Sequence, residues 1–416
     1  MSRHVNGRLA TLIASHIVDD IYQGAIPALL PFFIAERQYS YAAVTGLMFA
    51  STFLSSLTQP VFGIWVDRRQ ITWLIPGGMF AAGLGVALTG VSGSYPVTWL
   101  VLAASGLGVA AFHPGASRAV RLAVGKSATG MSLFALGGII GLALGPAIVT
   151  PVVLAWGLSG TPLLLIPAAV MAVVLVLTRS AWGRAAEARA AGPAAAVRPD
   201  DWRSFRRLTG LVITRSILYF GIGSLAALYL IDQVGASKAA AGAVLTIYFA
   251  TGAVGTFLGG ALADRIGRVR TVRTGFALMT PAILGLVGAP NLPLAIAAMV
   301  VLSVAIHLPF SVHTTLGQEY LPNRIGTAAG VTSGLAVSAG GVLTPALGGL
   351  ADQWGLRPTV AVLAVLPLVA LLLARRLRDP GTRPPLELHR HPSGTVLAPH
   401  PARSGGQPGP YYSTGT

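Results

Sequence analysis

Twelve mainly apolar stretches follow one another along the chain, and they constrain the fold more than any other feature. Each is about 20 residues long, the length that a helix needs to cross the roughly 30 Å of hydrocarbon in a bilayer. We number them span 1 to span 12; they lie near residues 9–34, 41–66, 71–91, 97–117, 127–151, 160–178, 208–231, 239–263, 271–290, 294–317, 326–350 and 357–377. The sequence therefore predicts an all-α, multi-pass membrane protein with the lipid bilayer as its solvent.

The composition agrees with a membrane protein and excludes several kinds of site. Of the 416 residues, 53% are hydrophobic and only 10% are charged, whereas a soluble domain carries about 25% charged residues. The chain has no cysteine, which excludes disulfides, thiolate metal sites and cysteine nucleophiles. The first apolar run lacks a small-residue cleavage site and contains acids, so we expect no cleavable signal peptide.

The basic residues are distributed as a topology signal. If both termini are cytoplasmic, 25 of the 29 Lys and Arg residues lie in cytoplasmic segments, Arg37, Lys238 and Arg357 lie outside, and Arg215 lies within a span. Such an asymmetry sets the orientation of a membrane protein. The formal charge of +16 is therefore explained without nucleic acid, which we do not expect as a partner.

The chain reads as two halves with an internal repeat. We predict an amino-terminal bundle at 1–178, a cytoplasmic linker at 179–207, a carboxyl-terminal bundle at 208–378 and a Pro/Gly/Ser-rich tail at 379–416 that is disordered. The stretch "GIWVDRR" follows span 2 and "GALADRIGR" follows span 8, and both fit Gly-x-x-x-Asp-Arg. The matching residues stand 197 positions apart: Gly63 and Gly260, Asp67 and Asp264, Arg68 and Arg265. Repeated six-helix units are typical of secondary transporters.

With these two stretches the chain resembles the major facilitator superfamily, whose best-known motif occupies the same two loops. The resemblance implies a pair of pseudo-symmetric six-helix bundles and alternating access. It also implies conformational gating by the motif residues, Arg268 included. Gly63 and Gly260 would let neighbouring helices approach closely, while the motif acids would cap the next helix or pair with an arginine. The alternative is that these loops only set topology.

A narrower resemblance is to the fosmidomycin-resistance family of bacterial drug exporters. It rests on "SHIVDDIYQGAIPALLPF", "TQPVFGIWVDRR", "GLGVAAFHPGASR" and "GQEYLPNRIGTAAG". The resemblance implies proton-driven antiport that exports small toxic compounds, such as the anionic phosphonate fosmidomycin, across a bacterial cytoplasmic membrane. In span 5, Gly141, Gly145 and Pro146 match a drug-antiporter signature, but Val149 and Thr150 replace its Gly-Gly. We expect Gly141, Gly145 and Pro146 to pack helices, and the protein to be a monomer.

Ionisable residues inside the spans fall on spans 1, 4, 7 and 10. They are His16, Asp19 and Asp20, then His113, then Arg215, then His307 and His313. In the resembled fold these four helices line a central cavity. Charged residues inside a membrane helix cost roughly 3 kcal/mol on insertion scales and mark functional paths, so we predict a water-filled path between the halves.

Helical periodicity groups these residues on faces. At about 100° per residue, His16, Asp19, Asp20 and Gln23 share one face of span 1. In span 10, the same periodicity aligns His307, Ser311 and Thr314. His313 points elsewhere, where we expect it to make a structural hydrogen bond.

These residues suggest a coupling mechanism. The 197-residue offset places Arg215 opposite the acids of span 1, and a buried guanidinium requires an anion. Either a span 1 carboxylate or an anionic substrate can supply it, and their competition would link binding to protonation. Asp20 is our preferred proton carrier, tuned by His16, with Asp19 as second choice. An alternative is a static ion pair that holds spans 1 and 7 together.

The predicted substrate-binding residues are Arg215, Gln23, His113, His307, Ser311 and Thr314. For His113 a structural role at the helix end is an equal alternative.

Three other functions are alternatives for a chain of this kind. A symporter importing a small organic anion would share this fold and differ only in the direction of transport. A membrane-embedded enzyme is disfavoured, because His-x-x-Asp-Asp on one helix is a weak metal-ligand set and no second cluster completes it. A channel or receptor is disfavoured by the duplicated motifs. We therefore predict no enzymatic activity, no metal site and no cofactor.

Overall fold

The computed structural model describes residues 3–69, 71–124, 128–179, 182, 199–324, 327–328, 331–332 and 336–379, without the side chains of 3–6, 67–69, 124, 128–129 and 336–337. The helices run Arg3–Arg37, Tyr41–Arg69, Leu74–Leu88, Tyr95–Val124, Ala128–Trp156, Leu165–Leu177, Trp202–Val234, Lys238–Ile266, Arg268–Val287, Leu292–His307, Phe310–Tyr320, Ala336–Val342, Thr344–Trp354, Leu356–Val362 and Val365–Arg375. They pack into one compact unit. The predicted tail after residue 379, and most of the predicted linker, lie outside the described residues.

The all-α membrane fold that the sequence predicts is confirmed. In the described part of the chain, nine helices are long and apolar enough to cross a membrane. The other predicted spans fall short for visible reasons. Span 3 forms a helix of only 15 residues, the helix of span 9 begins with three arginines in its first six residues, and span 11 is only partly described.

Prolines divide several spans into two helices. Span 10 ends one helix at His307 and begins the next at Phe310, with Pro309 between them. Span 12 is likewise divided at Leu363 and Ala364, four and three residues before Pro367. Because proline has no N–H and clashes with the preceding turn, the regular helix is interrupted at these places. Side chains beyond the break therefore do not continue the face that precedes it.

Spans 1 and 5 pack against each other through glycines. A methyl group at Gly141 would collide with the carbonyl of Ile17, and one at Gly145 would collide with the backbone of Gly24. Such small residues allow helices to approach closely in a membrane. The packing role predicted for Gly141 and Gly145 thus corresponds to a direct backbone contact, and Pro146 lies buried beside it.

The two halves meet at the side of the bundle away from the chain termini, which we call the far side. We call the side with the termini and most of the Lys and Arg residues the basic side. On the far side the Asp352 carboxylate accepts hydrogen bonds from the backbone N–H of Tyr41 (2.8 Å) and Ala42 (2.9 Å), at the start of span 2. The Lys238 ammonium lies 5.0 Å from the ring centroid of Phe32. These contacts close the far side in this conformation.

Two threonine–glycine contacts reinforce this closure. Thr45 of span 2 lies against Gly348 of span 11, and Thr150 of span 5 lies against Gly242 of span 8. Thr45 and Gly242 are 197 residues apart, and Thr150 and Gly348 are 198 apart. Both offsets match the 197-residue offset of the Gly-x-x-x-Asp-Arg repeat to within one residue, so the two contacts are pseudo-symmetric. In each contact, the first half contributes the threonine and the second half contributes the glycine, whose missing side chain makes room for it.

Candidate functional site

A cavity of about 380 Å³ lies between the two halves. From the first half it is lined by His16, Asp20 and Gln23 of span 1 and by His113 of span 4. This volume is within the range of about 300–1,000 Å³ that small-molecule sites occupy. Ser55 and Gln59, in the half of span 2 nearer the basic side, also line it. The cavity therefore extends from the middle of the bundle toward the basic side, opposite the closed far side.

A compact cluster forms around Asp20. Its Oδ2 lies 3.4 Å from Nε2 of His16, one helical turn away, and its Oδ1 lies 3.4 Å from Nε2 of His113. The side-chain amide of Gln23 donates a hydrogen bond to the same Oδ1. The face that periodicity assigns to span 1 is therefore a connected polar group. His113 joins the acids here and is a candidate for proton coupling as well as for substrate binding.

Asp19 lies behind this cluster and has no solvent exposure. It does not line the cavity, and its Oδ2 lies 3.4 Å from Nδ1 of His113. Within the described residues, neither carboxylate oxygen of Asp19 has a hydrogen-bond partner. A buried carboxylate without partners is costly if it is charged. The environment of Asp19 thus depends on the protonation state of His113.

Arg215 of span 7 lines the same cavity from the second half. Its Nε donates a hydrogen bond to the carbonyl of Ile306 (2.8 Å), and its guanidinium carbon lies 4.6 Å from the ring centroid of Phe310. Only 5% of the residue is exposed. Across the residues that the structure describes, no ion pair joins Arg215 to a carboxylate. A cation that is nearly buried and faces a cavity is suited to binding an anion.

The polar stripe predicted for span 10 is interrupted at Pro309. His307 lines the cavity beside Arg215, but the next residue to do so is Phe310, whereas Ser311 and Thr314 are not among the lining residues. The expectation assumed one continuous helix, and the break at Pro309 shifts the face. In this conformation Ser311 and Thr314 therefore do not reach the cavity.

His313 was expected to make a structural hydrogen bond, and that expectation is wrong for the described part of the chain. Both of its ring nitrogens are buried without a hydrogen-bond partner there. The ring instead stacks against Phe276 of span 9, with 6.2 Å between centroids. His313 packs as an aromatic residue and, unlike His307, is not among the residues that line the cavity.

Aromatic residues that the sequence did not single out complete the second half of the cavity. Tyr219 lies one helical turn after Arg215, with its ring centroid 5.8 Å from the guanidinium carbon and 5.5 Å from the His307 ring. His307 donates from Nδ1 to the carbonyl of Ser303 (2.8 Å). In the sequence, Tyr219 can be recognised as a cavity residue only because it lies four positions, or one helical turn, after Arg215.

Glycines also shape the cluster. A methyl group at Gly138 of span 5 would collide with the Asp20 carboxylate and the His16 ring, and one at Gly252 of span 8 would collide with His307. The sequence marks Gly141 and Gly145 of span 5 as packing residues but does not indicate that Gly138 contacts the acids.

The predicted gating residues are only partly described. The side chains of Asp67 and Arg68 lie outside the described residues. A methyl group at Gly63 would just touch Pro114 of span 4, at 4.0 Å, whereas one at Gly260 would meet nothing within 4 Å. The close approach predicted at Gly260 is therefore absent in this conformation.

The second copy of the motif lies beside an ion pair. Asp264 and Arg265 are exposed, and Arg268 pairs with Glu319 at the end of span 10, with 2.8 Å between Nη1 and Oε1. Glu319 belongs to the stretch "GQEYLPNRIGTAAG". Nothing in that stretch predicts that Glu319 pairs with Arg268. The pair joins spans 9 and 10 on the basic side of the second half.

His16, Asp20 and His113 also stand close enough to offer one ligand atom each to a metal ion, with these atoms all within 4.8 Å of one another. The sequence places only the span 1 residues together, and the fold adds His113. Two histidines and one carboxylate are a donor set that suits a divalent transition metal. These groups contact one another and Gln23 directly, and the absence of a metal site stays our prediction.

Comparisons with known proteins agree with this architecture. The chain is 29% identical over 373 residues to the fosmidomycin resistance protein of Escherichia coli (strain K12), covering 88% of this chain and 91% of that protein. It is also 29% identical over 374 residues to the uncharacterized MFS-type transporter YfnC of Bacillus subtilis (strain 168), covering 86% and 89%.

Solved structures share the fold. A bacterial homolog of the human lysosomal transporter Spinster, in an inward-facing and occupied conformation, superposes with a TM-score of 0.75 at 17% identity, covering 90% of this chain and 97% of that one. A peptide transporter POT gives a TM-score of 0.75 at 12% identity, covering 89% and 94%. A sequence model of the Major Facilitator Superfamily matches residues 12–226 and 208–405. Spanning nearly the whole chain, this match shows that the protein belongs to the Major Facilitator Superfamily of membrane transporters.

Proposed function

We propose that this transporter is a proton-coupled antiporter that exports small toxic compounds, fosmidomycin among them, by alternating access. The observation that carries the proposal is the distribution of charge in one cavity. Asp20, His16 and His113 line one wall, and Arg215 lines the other without a carboxylate partner among the described residues. One wall can hold protons, and the other can hold an anionic group.

Antiport requires that protons and substrate exclude each other. The Asp20 oxygens and the histidine nitrogens beside them accept hydrogen bonds only where no proton occupies them. A substrate that places an anionic group on Arg215 and a hydrogen-bond donor near Asp20 would therefore compete with protons for the same acceptors. Protons loaded from the far side would displace the donor, and their release on the basic side would restore the acceptors for the next substrate.

The likeness to the fosmidomycin resistance protein supports fosmidomycin as the first compound to test. The compound is an anionic phosphonate, and Arg215 supplies the cation that such a group requires. The remaining apolar and aromatic lining, including Tyr219 and Phe310, suits the uncharged part of a small molecule. The cavity of about 380 Å³ is of the size that such compounds occupy.

A second candidate is a symporter that imports a small organic anion. It is supported by the position of Arg215 in the same cavity as Asp20, where the guanidinium can bind either the substrate or an ionised span 1 acid. An anion that occupies Arg215 would leave the acids without a cation and so favour their protonation, which means that proton and anion travel together. A substrate that has a hydrogen-bond donor as well as an anionic group competes with protons at Asp20 and therefore favours antiport. A simple anion binds only Arg215 and therefore favours symport.

The deciding experiment measures the direction of coupling in proteoliposomes. With a proton gradient that is acid on the far side, antiport predicts uphill fosmidomycin movement against the proton flow, and symport predicts movement with it. Asp20→Asn should abolish gradient-driven transport while leaving insertion and folding intact, and Arg215→Gln should weaken fosmidomycin binding with little effect on folding. Wild-type rates in Asp20→Asn would refute the role of this acid.

A parallel experiment tests whether a metal ion occupies the cluster. The same transport assay is run with added Zn²⁺ and, separately, after treatment with a chelator. Our proposal predicts that the chelator leaves the rate unchanged. A loss of transport on chelation, restored by Zn²⁺, would replace proton coupling at Asp20 with a metal-dependent role.

The cellular setting and the gate are part of the same proposal. We place the protein as a monomer in a bacterial cytoplasmic membrane, with both termini cytoplasmic and the cavity open to the cytoplasm in this conformation. The Gly-x-x-x-Asp-Arg residues gate the basic side when the far side opens. In a pump-deficient host, overexpression should lower susceptibility to fosmidomycin, and increased susceptibility would favour import.

A further inference from the structure

The two histidines beside Asp20 face it through the same ring nitrogen. Nδ1 of His16 lies 2.7 Å from the carbonyl oxygen of Phe134, and Nδ1 of His113 lies 3.0 Å from the carbonyl oxygen of Val109. A carbonyl oxygen only accepts hydrogen bonds, so Nδ1 carries the hydrogen in both rings. A neutral imidazole has a single N–H, and therefore Nε2 of each neutral ring has only a lone pair to offer.

These two Nε2 atoms point at the two oxygens of Asp20. His16 Nε2 lies 3.4 Å from Oδ2, and His113 Nε2 lies 3.4 Å from Oδ1. An ionised carboxylate is also only an acceptor, so lone pairs would face each other across both contacts. Each contact becomes attractive when one proton lies in it, on the ring or on the carboxyl group. The cluster therefore has two positions for exchangeable protons.

His113 also contacts the second acid. Its Nδ1 lies 3.4 Å from Oδ2 of the fully buried Asp19, so the ring stands between Asp19 and Asp20. A proton on Nε2 makes His113 a cation that both acids can share. Without added protons the two acids and two rings carry a net charge of −2, and with two added protons they are neutral. Since burying net charge is costly, the state with two protons is the one suited to crossing between conformations when no substrate is bound.

The other titratable or charged groups near the cluster already have partners or lie across the cavity. The Tyr22 hydroxyl donates to the carbonyl of Leu164 (2.8 Å) and accepts from the N–H of Ala168 (2.9 Å). Arg215 and Tyr219 face the cluster from span 7, on the opposite wall. Span 5 contributes the Phe134 carbonyl and Gly138, neither of which titrates. The two proton positions thus belong to the histidine–aspartate group itself.

We propose that this transporter exchanges two protons per cycle, one held between His16 and Asp20 and the other carried by His113 between Asp20 and Asp19. This rests on the proposed proton-coupled export and adds its stoichiometry and its second carrier. Both protons enter the cluster when the far side is open and leave it toward the basic side. No bond other than these N–H and O–H bonds forms or breaks.

The test measures the substrate gradient that a proton gradient sustains in proteoliposomes with the membrane potential clamped at zero. Each coupled proton supports about tenfold accumulation per pH unit, which corresponds to about 1.4 kcal/mol. We expect about 100-fold per pH unit for the wild type and about tenfold for His113→Gln and for His113→Asn. His313→Gln, at a buried histidine that does not line the cavity, should stay at about 100-fold. A tenfold wild-type ratio, or an unchanged ratio in both His113 variants, would overturn the proposal.

A substrate-free measurement separates this inference from the choice of fosmidomycin. Purified protein in weakly buffered detergent solution is acidified in steps, and the protons taken up per molecule are counted with a pH dye. We expect His113→Gln to take up one proton fewer than the wild type, and His16→Gln/His113→Gln two fewer. Equal uptake by all three proteins refutes the two-proton cluster even if fosmidomycin is exported. If the differences are found but fosmidomycin is not transported, only the proposed substrate is wrong.

Discussion

The contact between Gly242 and Thr150 predicts how strongly the far side is held closed. A methyl group at Gly242 would lie less than 3 Å from three side-chain atoms of Thr150 and from no other residue among its nearest neighbours. Thr150 is buried, and its hydroxyl has no hydrogen-bond partner among the described residues. Gly242→Ala should therefore act as a wedge between spans 5 and 8.

The size of the effect follows from the cost of overpacking. One extra methyl group in a tightly packed contact costs about 1–3 kcal/mol. We expect this cost to fall only on the conformation in which the far side is closed, because the proposed alternating access would separate the contact when that side opens. A difference of 1–3 kcal/mol shifts the population ratio about 5- to 150-fold. Gly242→Ala should thus move the protein substantially toward the conformation that is open on the far side.

The assay uses the absence of cysteine from the natural sequence. Spin labels are attached at Ser159→Cys and Gln233→Cys, which are exposed positions on the far side, one in each half. Double electron–electron resonance then measures the distance between the halves. Gly242→Ala should increase the fraction of long distances, and adding Thr150→Gly should reverse the increase because it removes all three colliding atoms.

Gly349→Ala is the matched control, since a methyl group there meets nothing within 4 Å. Gly349→Ala raises the helix propensity by the same amount as Gly242→Ala, but its new methyl group collides with no other residue. An unchanged distance distribution in Gly242→Ala, or equal shifts in Gly242→Ala and Gly349→Ala, would refute the reasoning.

Three further variants test other contacts. Asp352→Ala removes the carboxylate that caps span 2 at Tyr41 and should weaken far-side closure by about 1 kcal/mol, measured with the same spin labels; no shift would contradict the capping role. Tyr22→Phe leaves the N–H of Ala168 without its acceptor and should lower the free energy of unfolding by about 1–3 kcal/mol, seen as earlier thermal unfolding in detergent. Gly267→Ala forces a side chain onto a backbone with φ of 91° and should cost about 1–3 kcal/mol in the same assay, whereas Gly285→Ala, which meets only a distant methyl group, should not.

Much of the site was predictable because hydrophobicity and charge act over short stretches of sequence. The cost of placing His16, Asp20 and Arg215 in apolar spans marks them as candidate functional residues without knowledge of their neighbours. Helical periodicity then placed His16, Asp20 and Gln23 on one face, and the structure gives these three a shared contact. Local rules were sufficient here because span 1 is continuous through these residues.

The expectations that failed depended on long-range packing or on a break in a helix. Ser311 and Thr314 were placed by a continuous helix, and Pro309 ends that continuity. The contact of His113 with both acids joins residues more than 90 positions apart, which no spacing rule can reveal. Gly260 matches Gly63 in the repeat, yet only Gly63 has a neighbouring helix within contact distance. Identical motifs in two halves can therefore have different surroundings in one conformation.

Arg215 has a mechanical consequence beyond its charge. The carbonyl of Ile306 would normally accept from the N–H four residues later, at Phe310, but the break at Pro309 separates the two helices there, and Arg215 supplies the donor instead. If the proposed anion binds Arg215 and draws its guanidinium away from Ile306, that carbonyl loses its donor at the break in span 10. Anion binding would then weaken the contact that connects span 7 to span 10 next to Pro309, and the helix after this break carries Glu319 on the basic side.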